Sequence, residues 1–276
     1  MSTQAEKAER FRALHERAGA FIIPNPWDIG SVQILAHLGF EALATTSAGF
    51  AFSLGRPDAT VDRGTMMQHV SAMAASTDLP MSGDLENGYG DAPDAAAETI
   101  RLAAAAGLVG GSIEDATGRM SAPIYERAHA AERVRAAVEA AHALRFPFML
   151  TARAENYLHG RPDLADTIAR LQAYQEAGAD VLYAPGLTTK EEIAEVVRAV
   201  DRPVNVVMGL RGAPLSLGEL SALGVKRVSV GGSLCRAAFG ALFRAGREMQ
   251  THGTFMYAED AVSHREMCDL FARTRP

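Results

Sequence analysis

An α/β barrel of eight strand–helix units is the fold class that this sequence predicts, and three observations carry the prediction. Short β-branched or apolar runs, eight in all, recur along the chain. Alanine-rich segments separate them, and the apolar residues of these segments recur every three to four positions, as in amphipathic helices. No long Pro-rich or Ser-rich linker interrupts the alternation. Repeated strand–helix units favour parallel strand pairing, and eight units suggest closure into a barrel.

The strand candidates, in chain order, are FIIPN (21–25), EALATTS (41–47), LPMSGDLE (79–86), GGSIED (110–115), FPFMLTARAE (146–155), DVLYAP (180–185), PVNVVMG (203–209) and KRVSVGG (226–232). Helical segments between them end in glycine, as at Gly107 and Gly178, where a left-handed helix terminus favours a residue without a Cβ. An open doubly wound sheet is the alternative fold. It would need a nucleotide-type glycine loop after the first strand, where the chain instead has NPWDIGS (25–31).

The domain organisation follows from the same pattern. We expect residues 1–276 to form one (β/α)8 barrel domain, with 254–276 as a C-terminal helical extension outside the eight units. The extension carries an apolar helical face, which predicts packing either on this barrel or on another subunit: Phe255, Val262, Met267, Leu270 and Phe271.

Composition excludes several classes of partner. The chain has 27 Lys and Arg against 33 Asp and Glu, a formal charge of −6, and no long basic cluster, so neither nucleic acid nor an anionic membrane surface is expected. The first residues are polar, and no apolar run reaches roughly 18 residues, which favours a cytoplasmic protein. The cysteines Cys235 and Cys268 lie far apart and lack ligand spacing, so two buried thiols are expected rather than a disulfide or a zinc site.

Charged and polar residues stand where the predicted strands end. In a parallel barrel all the strand-to-helix loops emerge on one face, so residues far apart in sequence should meet there. The candidates are Asp84, Glu86, Glu114, Asp115, Arg153, Glu155 and Asn205, together with Asp58 at the end of the loop after strand two.

The carboxylates at these ends predict a metal site. Neighbouring carboxylates stay ionised together only when protons or a cation neutralise them. Oxygen ligands without His or Cys favour a hard ion, Mg²⁺ first and Mn²⁺ second. Strand alternation places Asp84 and Glu86 on the same side, with Leu85 opposite. The alternative is a turn with solvated acids.

Arg153 is the complementary charge, because a guanidinium after an apolar strand is costly to bury unless it binds a carboxylate or an oxyanion. We therefore expect Arg153 and Asn205 to contact a substrate, the alternative for Arg153 being a structural ion pair with Glu155 or Glu114. The glycines of SVGGS (229–233) have two interpretations: a phosphate cradle, or a turn from the last strand into its helix.

Across residues 20–240 the motifs resemble those of the isocitrate lyase and phosphoenolpyruvate mutase superfamily. The motifs that carry the resemblance are NPWDIGS (25–31), ATTSAGFAFSLGRPD (44–58), GDLENGYG (83–90), SIEDATG (112–118), LTARAE (150–155), YQEAGAD (174–180) and PVNVVMG (203–209). The family's usual Asp-x-Asp-x-Gly-Tyr/Phe-Gly is present here with Glu86 replacing the second Asp.

The resemblance implies a set of roles. Asp84 would be the nearest Mg²⁺ ligand, with Glu86 and Glu114 acting directly or through metal-bound water. Thr46 and Ser47 fall where the family binds the substrate carboxylate, and Asp58 and Arg153 fall on its active-site Asp and Arg. It further implies a chelated 2-oxo or 2-hydroxy acid, an enolate-like intermediate, and a homotetramer that exchanges C-terminal helices.

Departures from the family leave the reaction open. Its lyases carry Lys-Lys-Cys-Gly-His in the loop after strand four, and its phosphonomutases a Lys and an Asn, whereas residues 116–152 contain no Lys or Cys. Where relatives place Glu or His after strand six, this chain has Pro185. Asp58 is then the best candidate general acid/base, with Tyr125 and His129 as alternatives.

Three hypotheses for the function remain. The first is a Mg²⁺-dependent lyase that breaks a carbon–carbon bond of a small 2-oxo or 2-hydroxy (di)carboxylate. The second is phosphoenolpyruvate or phosphonopyruvate mutase or hydrolase chemistry, with Asp58 as the nucleophile. The third is a non-catalytic 2-oxo acid binding protein, which the missing loop residues motivate.

Overall fold

A computed structural model describes residues 2–210 and 214–273, and it confirms a closed barrel of eight parallel strands. The strands are hydrogen-bonded in the order β1-β8-β7-β6-β5-β4-β3-β2. The ring closes where the Ala44 N–H of β2 donates to the Pro24 carbonyl just after β1, at 3.1 Å. The open doubly wound alternative is therefore wrong.

Every predicted strand is present, although each is shorter than its apolar run. The strands are β1 (Phe21–Ile23), β2 (Leu43–Ala44), β3 (Met81–Asp84), β4 (Gly110–Glu114), β5 (Met149–Arg153), β6 (Val181–Tyr183), β7 (Val204–Val207) and β8 (Arg227–Ser229). The run at 41–47 gives the shortest strand because Thr46 caps a helix that begins at Ser47, its hydroxyl accepting from the Gly49 N–H at 3.1 Å.

Helices cover the outside of the barrel and extend beyond it. They are α1 (Gln4–Glu16), α2 (Ile29–His37), α3 (Ser47–Ser53), α4 (Arg63–Ala75), α5 (Pro93–Ala105), α6 (Arg127–His142), α7 (Leu164–Glu176), α8 (Lys190–Ala199), α9 (Leu217–Ala222), α10 (Ser233–His252) and α11 (His264–Arg273). The predicted glycine termini are left-handed, with φ of +99° at Gly107 and +103° at Gly178.

Five residues on adjacent strands, from β4 to β8, lie side by side in the register of the sheet and form a row across half of the barrel. Glu114 is level with Arg153, Arg153 with Tyr183, Tyr183 with Asn205, and Asn205 with Arg227. Residues level with one another in a parallel sheet face the same side, and barrel strands are tilted against the barrel axis. The row therefore begins at the mouth of the barrel, where β4 and β5 end, and descends to its floor, where β8 begins.

Helix α1 closes that floor. Phe11 and Leu14 pack in one apolar cluster with Phe21 of β1 and Met149 of β5. A Cβ at Gly110 would come within 2.8 Å of the Phe11 ring, so glycine is required for this close approach. The barrel consequently opens at the carboxyl ends of its strands.

The C-terminal extension packs on its own barrel, where α11 contacts α2. Residues 274–276 of the predicted extension lie outside the described residues, and the division into one domain plus an extension stays a prediction. Helix α10 presents Leu242 and Phe243 to solvent, each 67% exposed.

Cys235 is buried as expected, whereas Cys268 is exposed, which corrects that prediction. Within 2–210 and 214–273, no helix combines the length and apolar character that crossing a membrane requires.

Candidate active site

A cavity of about 700 Å³ opens at the carboxyl ends of the strands. Its walls include the eight residues to which the sequence and the resemblance give a metal, substrate or catalytic role, namely Thr46, Ser47, Asp58, Asp84, Glu86, Glu114, Arg153 and Asn205. Of the two other strand-end candidates, Glu155 lines the cavity and Asp115 does not. The topology therefore brings together side chains that lie up to about 160 positions apart in the chain, as expected for a barrel of this kind.

Arg153 is at the centre of the acidic residues. Its three nitrogens form salt bridges with Asp84 at 2.9 Å, Glu114 at 3.2 Å and Glu155 at 2.8 Å. The side chains of Arg153 and Asp84 are only 15% and 19% exposed. The ion pairs considered as an alternative for Arg153 are thus present. Three acidic groups share one guanidinium, so all three can be ionised together only if a further cation is bound nearby.

Asp84 is fixed by neighbours on both sides of its carboxylate. The Ser47 N–H and hydroxyl donate to Asp84 Oδ2 at 3.0 and 2.9 Å, while Arg153 holds Oδ1. The Asp84 N–H donates to the Thr45 hydroxyl at 2.9 Å. Ser47 is thus occupied with orienting Asp84, and the Thr46 hydroxyl with capping α3.

Glu86 reaches the cavity through a turn. Strand β3 ends at Asp84, and Glu86 has φ +49°, a left-handed conformation that is uncommon for a residue with a side chain. Asp84 and Glu86 both line the cavity and Leu85 is buried, so the predicted facing is correct. Among the described residues, the Glu86 carboxyl has no hydrogen-bond or ion-pair partner. Burial and the nearby charges of Asp84 and Asp58 raise its pKa to about 8.

Glu114 and Asp115 are adjacent in sequence but have separate roles. Glu114 faces the cavity, where burial and the charges of Glu155 and Asp84 outweigh Arg153 and raise its pKa well above the usual range. Asp115 is 2% exposed and points away from the cavity. Its carboxylate accepts from the Tyr174 hydroxyl at 2.6 Å and from Arg170 at 3.1 Å, so it anchors α7.

Asp58 lies on an exposed turn with its carboxyl directed at the cavity. Its Oδ1 accepts from the Ala59 N–H at 2.9 Å and lies 3.4 Å from the Ser47 hydroxyl. Partial burial and the Asp84 charge raise the Asp58 pKa. The carboxyl therefore keeps its proton to a higher pH than an ordinary Asp does.

The two alternative acid/base residues lie outside the cavity. The segment 116–124 folds back on itself as a hairpin through a bridge between Ala116 and Ile124. The Tyr125 hydroxyl donates to Asp91 at 2.5 Å, and His129 Nε2 lies 2.9 Å from the Asp91 carbonyl. Both side chains therefore hold the loop after β4 against the turn after β3, rather than facing a ligand.

The phosphate-cradle interpretation of SVGGS meets an obstacle within the chain. The backbone N–H groups of Val230 and Gly231 both donate to Asn25 Oδ1, each at 2.9 Å. Donors that a phosphate would need are thus already engaged. The alternative, a turn from β8 into α10, accounts for these glycines.

Several residues that line the cavity are not identified by the sequence motifs. Tyr89 has φ +58°, and its buried hydroxyl lacks a hydrogen-bond partner within the described chain. His159 and Arg236 line the mouth, and Arg227 lies at the floor. Tyr183 places its ring 5.1 Å from the Arg153 guanidinium carbon. Strand alternation was the signal available for Arg227, since it makes Arg227 and Ser229 face the same side of β8.

The donor chemistry of the acids fits a hydrated magnesium ion. Within residues 2–210 and 214–273, no three His, Cys, Asp or Glu side chains converge closely enough to enclose a metal directly. Mg²⁺ in proteins commonly keeps several waters and uses only one or two carboxylates. Asp84 with Glu86, whose carboxyl lacks a partner in the described chain, offers such a set, and Glu114 could act through water.

Comparison with known proteins finds relatives that match over most of the chain. The phosphoenolpyruvate phosphomutase family profile matches residues 11–250. A structure from Burkholderia cenocepacia J2315, provisionally described as a lyase/mutase, is 65% identical, covering 98% of this chain and 97% of that one, with a TM-score of 0.97.

Two relatives have named activities. An oxaloacetate decarboxylase from Bradyrhizobium sp. BTAi1 is 30% identical, over 74% of this chain and 70% of its own. A structure of oxaloacetate acetylhydrolase with its product oxalate is 25% identical, covering 98% of this chain and 95% of that one, with a TM-score of 0.87.

Proposed function

This chain belongs to the phosphoenolpyruvate mutase and isocitrate lyase superfamily, and from that premise we propose that it is a Mg²⁺-dependent lyase. Its substrate would be a small 2-oxo or 2-hydroxy carboxylate whose carbon–carbon bond next to the chelating group is broken. The observation that carries the proposal is the excess of carboxylates in the cavity, three of them on Arg153 and a fourth, Glu86, without a partner in the described chain.

Magnesium would be held by Asp84 and Glu86, with Glu114 acting through water. When bound, the ion would polarise the oxo and carboxylate oxygens of the substrate. A phosphonopyruvate hydrolase of the same fold holds Mg²⁺ together with oxalate. The Ser47 donors keep Asp84 oriented toward this position.

Arg153 would stabilise negative charge as the bond breaks. A guanidinium has five N–H donors, and the three acids engage three of them, which leaves two for the substrate. Fixed donors in a cavity shielded from water stabilise a developing enolate oxygen strongly. Glu155, which is 3% exposed, accepts from Nε and holds the guanidinium in place.

Asp58 would return a proton to the carbon of the departing fragment. Its raised pKa keeps the carboxyl protonated to higher pH than an ordinary Asp, which suits a general acid. Its position on an exposed turn gives it contact with both the cavity and solvent.

Phosphonopyruvate chemistry is the second candidate, because the matching family profile is that of a phosphomutase. The raised Asp58 pKa disfavours it as a nucleophile, and Asn25 engages donors that a phosphate cradle would use. A 2-oxo acid binding protein without turnover is the third candidate.

The homotetramer stays a prediction, for which the exposed apolar side of α10 offers a surface.

A thermal-shift screen tests the proposal. Purified protein is heated with oxalate, oxaloacetate, longer 2-oxo and 2-hydroxy acids, and phosphonopyruvate, each with and without Mg²⁺. We expect a rise in Tm that requires both acid and Mg²⁺ and is lost in Asp84→Ala. Glu126→Gln, which removes an exposed acid that makes no cap hydrogen bond, is the matched control.

Product assays then separate the candidates. Acids that stabilise the protein are incubated with it, and carbon and phosphorus NMR follow their fate. Cleaved 2-oxo acid supports the lyase, and interconversion or phosphate release supports phosphonate chemistry. Stabilisation without turnover of any compound supports the binding protein, and Mg²⁺-independent stabilisation that survives in Asp84→Ala contradicts the metal site.

A further inference from the structure

The floor of the cavity contains a buried cation that the proposed reaction does not use. Arg227, the first residue of β8, is 5% exposed and lines the same cavity as the acids. Charged side chains are rarely buried this deeply without a partner of opposite charge. The environment of Arg227 is therefore unusual.

All of the side chains that Arg227 contacts are neutral. Its Nε donates to Asn205 Oδ1 at 2.8 Å, and Nη2 donates to the Thr151 hydroxyl at 2.8 Å. Nη1 lies 3.4 Å from Nε2 of His15. Among the residues that the structure describes, no carboxylate forms a salt bridge with Arg227.

His15 is fixed as a neutral acceptor. Its Nδ1 lies 2.8 Å from the Phe11 carbonyl, an arrangement that places the proton on Nδ1 and leaves a lone pair on Nε2 for Arg227. Burial and the Arg227 charge lower the His15 pKa to about 3. The neighbour that closes the floor thus accepts from the cation without supplying a negative charge.

Two donors of Arg227 remain without an acceptor in the described chain. A guanidinium has five N–H groups, and the contacts with Asn205, Thr151 and His15 use three. Buried donors in native proteins are nearly always satisfied by protein, water or ligand. Ser82, Ser112 and Ala44, which have small side chains, line the same cavity as Arg227.

The row of register neighbours separates this cation from the acids. Tyr183 is level with Arg153 on one side and with Asn205 on the other, so its ring lies between the mouth and Arg227. The acids that surround Arg153 consequently do not form ion pairs with Arg227, and the cavity is the side from which a negative group could reach it.

We propose that the barrel floor is a binding site for a small monoanion, held by the two available N–H donors of Arg227. Its ligand chemistry is that of chloride, formate or a single carboxylate. Two sources fit: a free inorganic anion, or the second carboxylate of a substrate whose first carboxylate is at the mouth. The site does not depend on the proposed reaction, because anion binding can be measured without turnover.

The first experiment measures Tm in sodium chloride, bromide, formate and methanesulfonate at equal ionic strength. Methanesulfonate is the reference because it is bulkier than the other three anions and is not a 2-oxo or 2-hydroxy carboxylate, so it lies outside the ligand class proposed for the mouth. We expect the three small anions to raise Tm by about 2–4 °C at concentrations well above Kd. Arg227→Met should remove the difference between salts. Arg236→Met, which removes an exposed arginine of the same cavity, should retain it.

Equal Tm values in all four salts for the unaltered protein, or the same response in Arg227→Met, would overturn the proposal. If Arg227→Met does not fold, Arg227→Lys keeps the charge but loses the planar fork, and should weaken the response. Crystals grown in bromide provide a second measurement. An anomalous peak within hydrogen-bond distance of Arg227 supports the site, and a water in its place contradicts it.

A competition experiment distinguishes the two sources of the anion. Oxaloacetate with Mg²⁺ is titrated in chloride and in methanesulfonate, and oxalate, which has no carbon between its two carboxylates, is the control. If chloride weakens oxaloacetate binding but not oxalate binding, the floor receives a substrate carboxylate. If chloride leaves both affinities unchanged while still raising Tm, the floor holds an inorganic anion.

Discussion

The mouth and the floor of the barrel carry opposite excesses of charge. At the mouth, three carboxylates share Arg153 and Glu86 has no partner in the described chain. At the floor, Arg227 is surrounded by neutral side chains. The same register row links the two regions, yet the charges do not pair across it. On the two proposals above, a metal cation would bind at the mouth and a small anion at the floor.

Removing each arginine gives the largest expected effects and tests this contrast directly. Arg153→Met leaves Asp84, Glu114 and Glu155 close together without a cation, and breaking a buried pair in this way costs about 3–5 kcal/mol of unfolding free energy. Arg227→Met leaves only neutral partners, at a cost of roughly 1–3 kcal/mol. Urea denaturation of both variants measures the difference.

Measurements at pH 5 and pH 8 sharpen the same comparison. The cost of Arg153→Met should grow with pH, because the acids left behind take up protons at low pH and repel one another when ionised. The cost of Arg227→Met is measured in a His15→Gln background, because the Arg227 charge lowers the His15 pKa and its removal would add a pH dependence of its own. In that background the cost should stay nearly constant over this range. A parallel pH dependence in the two variants would then show that the floor contains an acid partner and would break the contrast.

His15 gives the next largest effect. Its pKa in the folded protein is about 3, against an ordinary 6.5. Below pH 6.5 His15 is protonated in the unfolded chain but stays neutral in the folded protein. The free energy of unfolding therefore falls as pH decreases toward 3. This contribution is about 1.4 kcal/mol per pH unit across the window.

His15→Gln keeps hydrogen-bonding groups at this position but cannot titrate between pH 4 and 6. The stability advantage of the unaltered protein over this variant should therefore shrink as pH falls from 6 to 4, measured by urea denaturation at several pH values. A constant difference would mean that His15 is protonated in the folded protein, and the floor would then carry two cations.

How much of this arrangement could be foreseen differs between the two regions. The mouth was predictable because its residues lie at strand ends, where the motif order and barrel topology bring Asp84, Glu114 and Arg153 together. The floor was harder to predict. Strand alternation indicates that Arg227 and Ser229 face the same side of β8, but not that this side is the interior of the barrel. The register of β5 to β8 places Arg227 inside, and sequence runs do not fix register to one residue.

The contacts of individual side chains at the mouth could not be predicted from the sequence either. The sequence pairs Glu114 with Asp115 and offers Tyr125 and His129 as acid/base residues. Strand alternation turns Asp115 outward to Tyr174 and Arg170, and the 116–124 hairpin carries Tyr125 away from the cavity. These outcomes depend on where strand β4 ends and how a short loop folds, which the residue types of the motif do not determine.

Ser47→Ala should have a moderate effect confined to the mouth. The variant loses the hydroxyl donor to Asp84, but the backbone N–H still holds the same oxygen. We expect Mg²⁺-dependent oxalate binding to weaken by about 10- to 100-fold, the usual cost of one hydrogen bond to a charged group. Calorimetry measures it, with Thr65→Ala, which removes an exposed contact to Asp62, as control. A loss above about a thousandfold would mean that Ser47 contacts the ligand itself.

Asp91→Ala should have the smallest global effect, and it tests how independent the two ends of the cavity are. Asp91 holds the hairpin through Arg119 and Tyr125, but this ion pair is exposed and contributes little to overall stability. Because Ala116 and Thr117 line the mouth, loosening the hairpin should change the mouth alone. We expect amide exchange in 116–124 to become on the order of fivefold faster while Tm hardly moves.

Ligands then make the test specific to each end. Oxalate with Mg²⁺ at the mouth should slow exchange in the hairpin of the Asp91→Ala protein, since a ligand bound there favours the closed wall. Bromide at the floor should leave hairpin exchange unchanged while still raising Tm. Glu98→Ala, which breaks an exposed ion pair on α5, should alter neither measurement. If bromide slows amide exchange in the hairpin, the floor and the mouth are coupled and form one site. A single ligand would then contact both Arg153 at the mouth and Arg227 at the floor.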